Sequence, residues 1–74
     1  MRYFFATNSS NIPVNVYRFD RKKGIEQAWN VTEWNKTEKV AKFLILGEGW
    51  LEEVNENTAK ATFPDAFKEL KKNG

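Results

Sequence analysis

Any chemistry in these 74 residues must be done without histidine or cysteine, because the chain contains neither. That removes Cys–His and Ser–His–Asp nucleophiles, histidine acid–base catalysis, thiolate and zinc-finger metal sites, and disulfides. The two serine hydroxyls, Ser9 and Ser10, sit in the polar run Asn8–Asn11 with no base beside them. Glu52 and Glu53 are adjacent, but neighbours on a strand face opposite sides, so they read as a solvated acidic strand end rather than a carboxylate pair. Gly47-Glu48-Gly49 lacks the further glycines and the following helix of a phosphate or dinucleotide loop, and reads as a helix stop and turn. The residues therefore predict a non-enzyme with no catalytic, cofactor-binding or metal-binding site.

Binding is the chemistry that remains. Arg18, Arg21, Lys22 and Lys23 lie beside Tyr17 and Phe19, and an aromatic sheet face with a basic rim can stack single-stranded nucleic acid. The competing reading carries more weight: a chain with so few aliphatic residues needs Tyr17 and Phe19 for its core, and the basic run is a hairpin turn in solvent. Trp29, Trp34 and Trp50 are more indole than a small core readily hides. Tryptophan is enriched at interface hot spots, which makes Trp34 and Trp29 the candidate protein-binding residues. Trp34 has two readings. It is either an exposed anchor in the polar connection Thr32–Thr37 or a hydrophobic staple placed just before a helix cap at Asn35.

These residues must be positioned by a few short elements. Glu38–Trp50 holds the unbroken apolar run, Phe43 to Leu46, and the rest of the chain is expected to pack against it. Asn35 as N-cap with Glu38 three residues on, Thr37 as a competing cap, and Gly47 as stop predict a helix over Asn35–Leu46. In that helix Val40, Phe43 and Leu44 face inward, Ala41 and Ile45 lie on the shoulder, and Lys36, Lys39 and Lys42 face away. A buried strand is the alternative for so short a run.

Before it, Arg2–Thr7 and Pro13–Asp20 read as a hairpin around Asn8–Asn11. On the second strand Val14, Val16 and Arg18 point one way and Asn15, Tyr17 and Phe19 the other, with neither face cleanly apolar. Ile25–Trp34 fits a strand with Ile25, Gln27, Trp29 and Val31 on one face, although Ile25, Ala28, Trp29 and Thr32 also fit a helical spacing. After the central element come a short strand over Trp50–Val54, a helix over Glu56–Phe63 capped by Asn55, and helical turns from Pro64 through Leu70. The tail Lys71–Gly74 is expected to fray. The expected fold is α+β: one small domain with an antiparallel sheet of three to four strands, one face covered by the central helix, and short C-terminal helices.

Size and composition agree with this. A chain of this length buries only about 60–65% of its unfolded surface, and six Phe, three Trp and two Tyr must supply most of the core. Net charge is +2, too small an excess for the broad basic stripe of many nucleic-acid binders and far from an acidic DNA mimic. The N-terminus lacks the apolar stretch of a secretory signal, and no run approaches a membrane span. The three Asn-x-Ser/Thr triplets, at Asn8, Asn30 and Asn35, read as chance in a soluble cytoplasmic domain.

Taken together, Tyr3–Thr7, Pro13–Phe19, Trp29 and Trp34, Leu44–Gly49, Glu52–Asn55 and Ala59-Lys60-Ala61-Thr62-Phe63-Pro64 resemble a type of small protein encoded in phages and prophages. Those proteins pair an aromatic first strand with a Pro-Val-x-Val-Tyr-Arg second strand, an apolar helix closed by Gly-x-Gly, and an acidic turn leading to Ala-x-x-x-Phe-Pro. The resemblance implies a mobile-element context and carries over no site residue. The expectation is an accessory protein that binds a protein partner. A weak single-strand binder using Tyr17–Lys23 comes second, and a structural or homodimerisation module third.

Overall fold

Three consecutive aromatic residues, Tyr3, Phe4 and Phe5, send large side chains to both sides of the sheet that the first strand starts. The computed structural model, which describes residues 1–68, contains strands β1 (Arg2–Thr7), β2 (Pro13–Asp20), β3 (Ile25–Trp29), β4 (Trp34–Lys36) and β5 (Glu52–Val54). All pair antiparallel in the order β4-β3-β2-β1-β5. The first four are consecutive hairpins. In the first turn Asn8 Oδ1 accepts the backbone N–H groups of Ser10 (2.8 Å) and Ile12 (3.1 Å). In the second, Asp20 Oδ1 accepts that of Lys23 (3.2 Å). Both are carboxamide or carboxylate turns that compete locally with extended backbone.

Two helical layers sandwich this sheet. After β4 the chain forms α1 (Lys39–Ala41), continues as a π turn (Lys42–Leu46), and so crosses one face to deliver β5 to the opposite edge, beside β1. It then crosses the other face as α2 (Glu56–Thr62) and a 3-10 turn (Pro64–Phe67). Asn55 caps α2, its Oδ1 accepting the Thr58 N–H at 2.7 Å. Tyr3, Phe5, Val16 and Trp29 pack under Ala59 and Ala66, joined by Trp34, Val54, Phe63 and Phe67. Phe4 and Tyr17 pack under Val40 and Leu51, joined by Ala6, Phe19, Ala28 and Phe43. This explains why neither face of β2 is cleanly apolar: each carries part of a separate core.

The α+β class and the antiparallel sheet are as expected, and several particulars differ. The sheet has a fifth strand, β4, which includes Asn35, the residue expected to cap a helix. Asn35 pairs with Ala28, and helical structure starts four residues later. Period-two alternation correctly assigns Ile25–Trp29 to a strand, but the strand stops at Trp29. Val31 lies in the following turn, 80% exposed and at φ 80°, a left-handed conformation unusual for a β-branched residue. Both faces of the sheet are covered, not one. The expected fraying of Lys71–Gly74, and helical turns as far as Leu70, fall outside the described residues.

Candidate interaction surface

The segment between β4 and β5 is anchored at its start and stops abruptly. The Thr37 N–H donates to the Glu26 carbonyl (3.1 Å), Thr37 Oγ1 accepts the Lys39 N–H (3.2 Å), and the Glu26 carboxylate accepts the Ala41 N–H (2.9 Å). The N-cap position itself is Glu38, whose side chain makes no capping bond, so neither Asn35 nor Thr37 is the cap; Thr37 supports the first turn from one residue earlier. At the far end Gly47 adopts φ 71°, ψ 20°, and its N–H is shared between the carbonyls of Lys42 and Phe43. Only glycine enters this left-handed state without steric cost, so the helix ends here.

Between these anchors the inward and outward residues are not those of a regular helix. Val40 is fully buried and Phe43 half-buried, whereas Leu44, Ile45 and Leu46 are 40%, 68% and 63% exposed. Trp50, after the turn, is 74% exposed, held by an edge contact of its ring on Phe43 at 6.0 Å. The inward place expected of Leu44 is filled instead by Leu51, which is buried against Phe4, Tyr17 and Val40. The cause is the change of winding. Only three residues are α-helical before i→i+5 bonding takes over, so the 3.6-residue face cannot extend through Leu46. The result is an apolar ridge of Leu44, Ile45, Leu46 and Trp50.

Hollows flank this ridge. One, of about 430 Å³, is lined by Met1, Phe19, Leu44 and Ile45 together with Arg2, Asp20, Arg21, Lys22 and Ala41. Another, of about 410 Å³, runs beside Trp50 and Leu51 with Ala6, Tyr17, Lys39, Lys42, Glu48 and Gly49. Arg2 and Glu53 clasp at the edge of the sheet through two hydrogen bonds of 2.9 Å, and this pairing holds the Glu53 carboxyl below its usual range. Asp20 lies 3.8 Å from the N-terminal amine. Arg21, Lys22, Lys36 and Lys39 have no ion-pair partner among the described residues.

The residues singled out from the sequence are dispersed. Trp29 is buried, and Trp34 is half-buried in β4, packed on Trp29 and Phe67, its indole N–H donating to the Ala66 carbonyl at 3.0 Å. Trp34 is therefore neither an anchor in a polar loop nor a helix staple; it is part of the aromatic layer beneath the 3-10 turn. Arg18 lies over the Trp34 ring at 4.2 Å and donates to Gln27 at 2.6 Å, on the face opposite Tyr17 and Phe19. Tyr17 is buried under Val40 and Phe19 is partly buried beside it. No base can stack on buried Tyr17, and Arg18 lies on the other face, whereas Phe19 lines one hollow together with Arg21 and Lys22. Arg21, Lys22 and Lys23 remain exposed in the β2–β3 turn. Among the described residues, no three His, Cys, Asp or Glu side chains come together as a metal-binding group, and no helix is long and apolar enough to cross a membrane.

The ridge itself was missed, yet the sequence carries a signal for it. Successive residues of a helix are turned by about 100°, so four large apolar residues in a row span most of the circumference and cannot all face one sheet. Phe43–Leu46 is such a run. No family model, no curated protein and no solved structure matches this chain.

Proposed function

We propose that this is a non-enzymatic accessory protein of the kind phages and mobile elements encode, acting in the cytoplasm by binding a protein partner through the ridge of Leu44, Ile45, Leu46 and Trp50. One observation carries the reading: the helical layer turns four large apolar side chains away from the sheet that it covers. Scattered apolar residues on a surface need no explanation, but three consecutive large ones and a nearby tryptophan, beside hollows lined by charged groups, have the make-up of a protein-binding patch. A tryptophan held on a neighbouring ring presents large area at little entropic cost, which suits it to anchor such a contact. The π turn fits the same reading, since such turns recur at functional sites.

The test is site-specific photo-crosslinking in cells that carry the gene. A photoreactive residue replacing Leu46 or Trp50 should join the protein to one discrete partner, while the same residue at Glu33 or Thr58, exposed positions away from the ridge, should not. Equal labelling from all four positions, or none from the ridge, would refute the assignment.

A further inference from the structure

We infer that the segment seated on this ridge is an acidic amphipathic helix of a partner protein. The inference rests on the reading of the ridge as a protein-binding surface and adds the chemistry of what it binds.

Charge is divided along the chain. Between Arg18 and Lys42 there are seven Lys or Arg against four Asp or Glu; between Phe43 and Lys68 there are two against five. The fold puts part of the basic share beside the ridge: Arg21 and Lys22 line the hollow next to Leu44 and Ile45, and Lys39 and Lys42 line the one next to Trp50. Most acidic groups nearby are already engaged. Glu53 is clasped by Arg2, Asp20 faces the N-terminal amine, and Glu26 accepts the Ala41 N–H. Glu38 reaches Lys42 only at 4.0 Å, with both side chains largely in solvent, and Glu48 shares the Trp50 hollow. Arg21, Lys22 and Lys39 have no ion-pair partner among the described residues, so unpaired cations line the hollows at Leu44 and at Trp50, while a further hollow at Ile45 mixes Arg21 and Lys36 with Asp20, Glu26 and Glu38. The complementary ligand has an apolar stripe bordered by carboxylates.

Geometry selects a helix over a strand. The ridge is the outside of a helical segment and offers no open ladder of backbone groups, so a strand has nothing there to pair with. The sheet's two edges, β4 and β5, are only three residues long and carry Lys36, Glu52 and Glu53. Side chains spaced along one face of a helix can instead straddle a crest and enter the hollows beside it.

Three synthetic helical peptides with one shared Leu/Phe stripe and a polar face of Glu, Gln or Lys test this directly, with Trp50 emission as the readout and Trp50→Phe as its control. The Glu peptide should bind at least about tenfold more tightly than the Gln peptide at low salt. The advantage should collapse near 1 M NaCl, where the screening length is about 3 Å. Arg21→Gln/Lys22→Gln combined with Lys39→Gln/Lys42→Gln should erase the same advantage while leaving the melting temperature in place. Equal binding of the Glu and Gln peptides would overturn the acidic partner and leave the ridge as a binding surface. If no peptide binds, both readings fall. Anionic phosphatidylserine vesicles shifting Trp50 where peptides do not would identify a lipid surface instead, and a concentration-dependent dimer that shields Trp50 would identify a second copy of this chain.

Discussion

The two faces of the sheet are built from the same strands, yet the layers that cover them turn their large apolar residues differently. Beneath α2 and the 3-10 turn the covering apolar residues point inward. Ala59 and Ala66 are fully buried, Phe63 meets Phe5 and Phe67 meets Tyr3 edge-on, both at 5.5 Å, and Trp34 completes the set. On the other face Val40, Phe43 and Leu51 point inward while Leu44, Ile45, Leu46 and Trp50 point away. A layer that serves only to cover a sheet has one apolar side. A layer apolar on both sides has a second surface to cover, and in a chain with so little core to spare, four large side chains outside it argue for a role other than stability.

This contrast can be broken by mutation. If both faces contribute to stability, Phe4→Ala beneath α1 and Phe5→Ala beneath α2 should each cost about 3–5 kcal/mol and leave the protein largely unfolded by urea titration or thermal melting. Near-native melting of Phe4→Ala alone would mean that the face beneath α1 holds no real core. Relieving strain acts in the opposite direction. Val31→Gly, at the left-handed tip of the β3–β4 turn, should stabilise by about 1 kcal/mol, because a β-branched residue pays there for a conformation glycine adopts freely. A lower melting temperature would show that Val31 packs where the structure leaves it exposed.

The outward ridge should be nearly silent. Leu46→Ser and Trp50→Ser should each shift stability by no more than about 0.5 kcal/mol in the isolated protein. Losses like that of Phe4→Ala would place the ridge inside the core and end the comparison. The smallest effect concerns the clasp at the β1–β5 edge of the sheet. Arg2 depresses the Glu53 pKa through hydrogen bonding first and charge attraction second, so its stabilising share is present above the ordinary carboxylate range. That share is lost as pH falls through the lowered value. Both side chains are about half exposed, which limits the contribution to a few tenths of a kcal/mol that salt should diminish. Arg2→Gln should flatten the acid limb of a pH–stability curve at low ionic strength, and an unchanged limb would show the clasp to be idle.

Strands with clean punctuation were legible in the sequence. Asn8 and Asp20 close their turns through local side-chain bonds, Pro13 opens β2, and Asn55 caps α2, all of them effects that short segments determine by themselves. What could not be read locally was decided by partners distant in the chain. Trp34 belongs to a strand because Trp29 and Phe67 receive its indole, which no window around residue 34 displays. The helix begins at Lys39 because Glu26, on β3, takes the Ala41 N–H. The ridge was hidden by an assumption of regular winding: Leu44 was placed inward by a 3.6-residue period that the π turn interrupts, and Leu51 fills that space from outside the helix. The expected exposed tryptophan is Trp50, whereas Trp34, the ring singled out from the sequence, is half-buried.

The placement of β5 against β1 has a consequence for the order in which the molecule is assembled. Strands β1 to β4 form three neighbouring hairpins, each able to close as soon as its own two arms exist. The β1–β5 pairing joins Tyr3 to Val54, so it waits for most of the chain and for the longest loop closure in the sheet. Until then β1 is a bare edge rich in aromatic residues, the type of strand most prone to pair with another chain. Pulse-labelling hydrogen exchange during refolding should protect the β1 amides that face β2 before those that face β5. The charged pair Arg2–Glu53 sits at this seam, the last of the sheet's pairings that the chain can make.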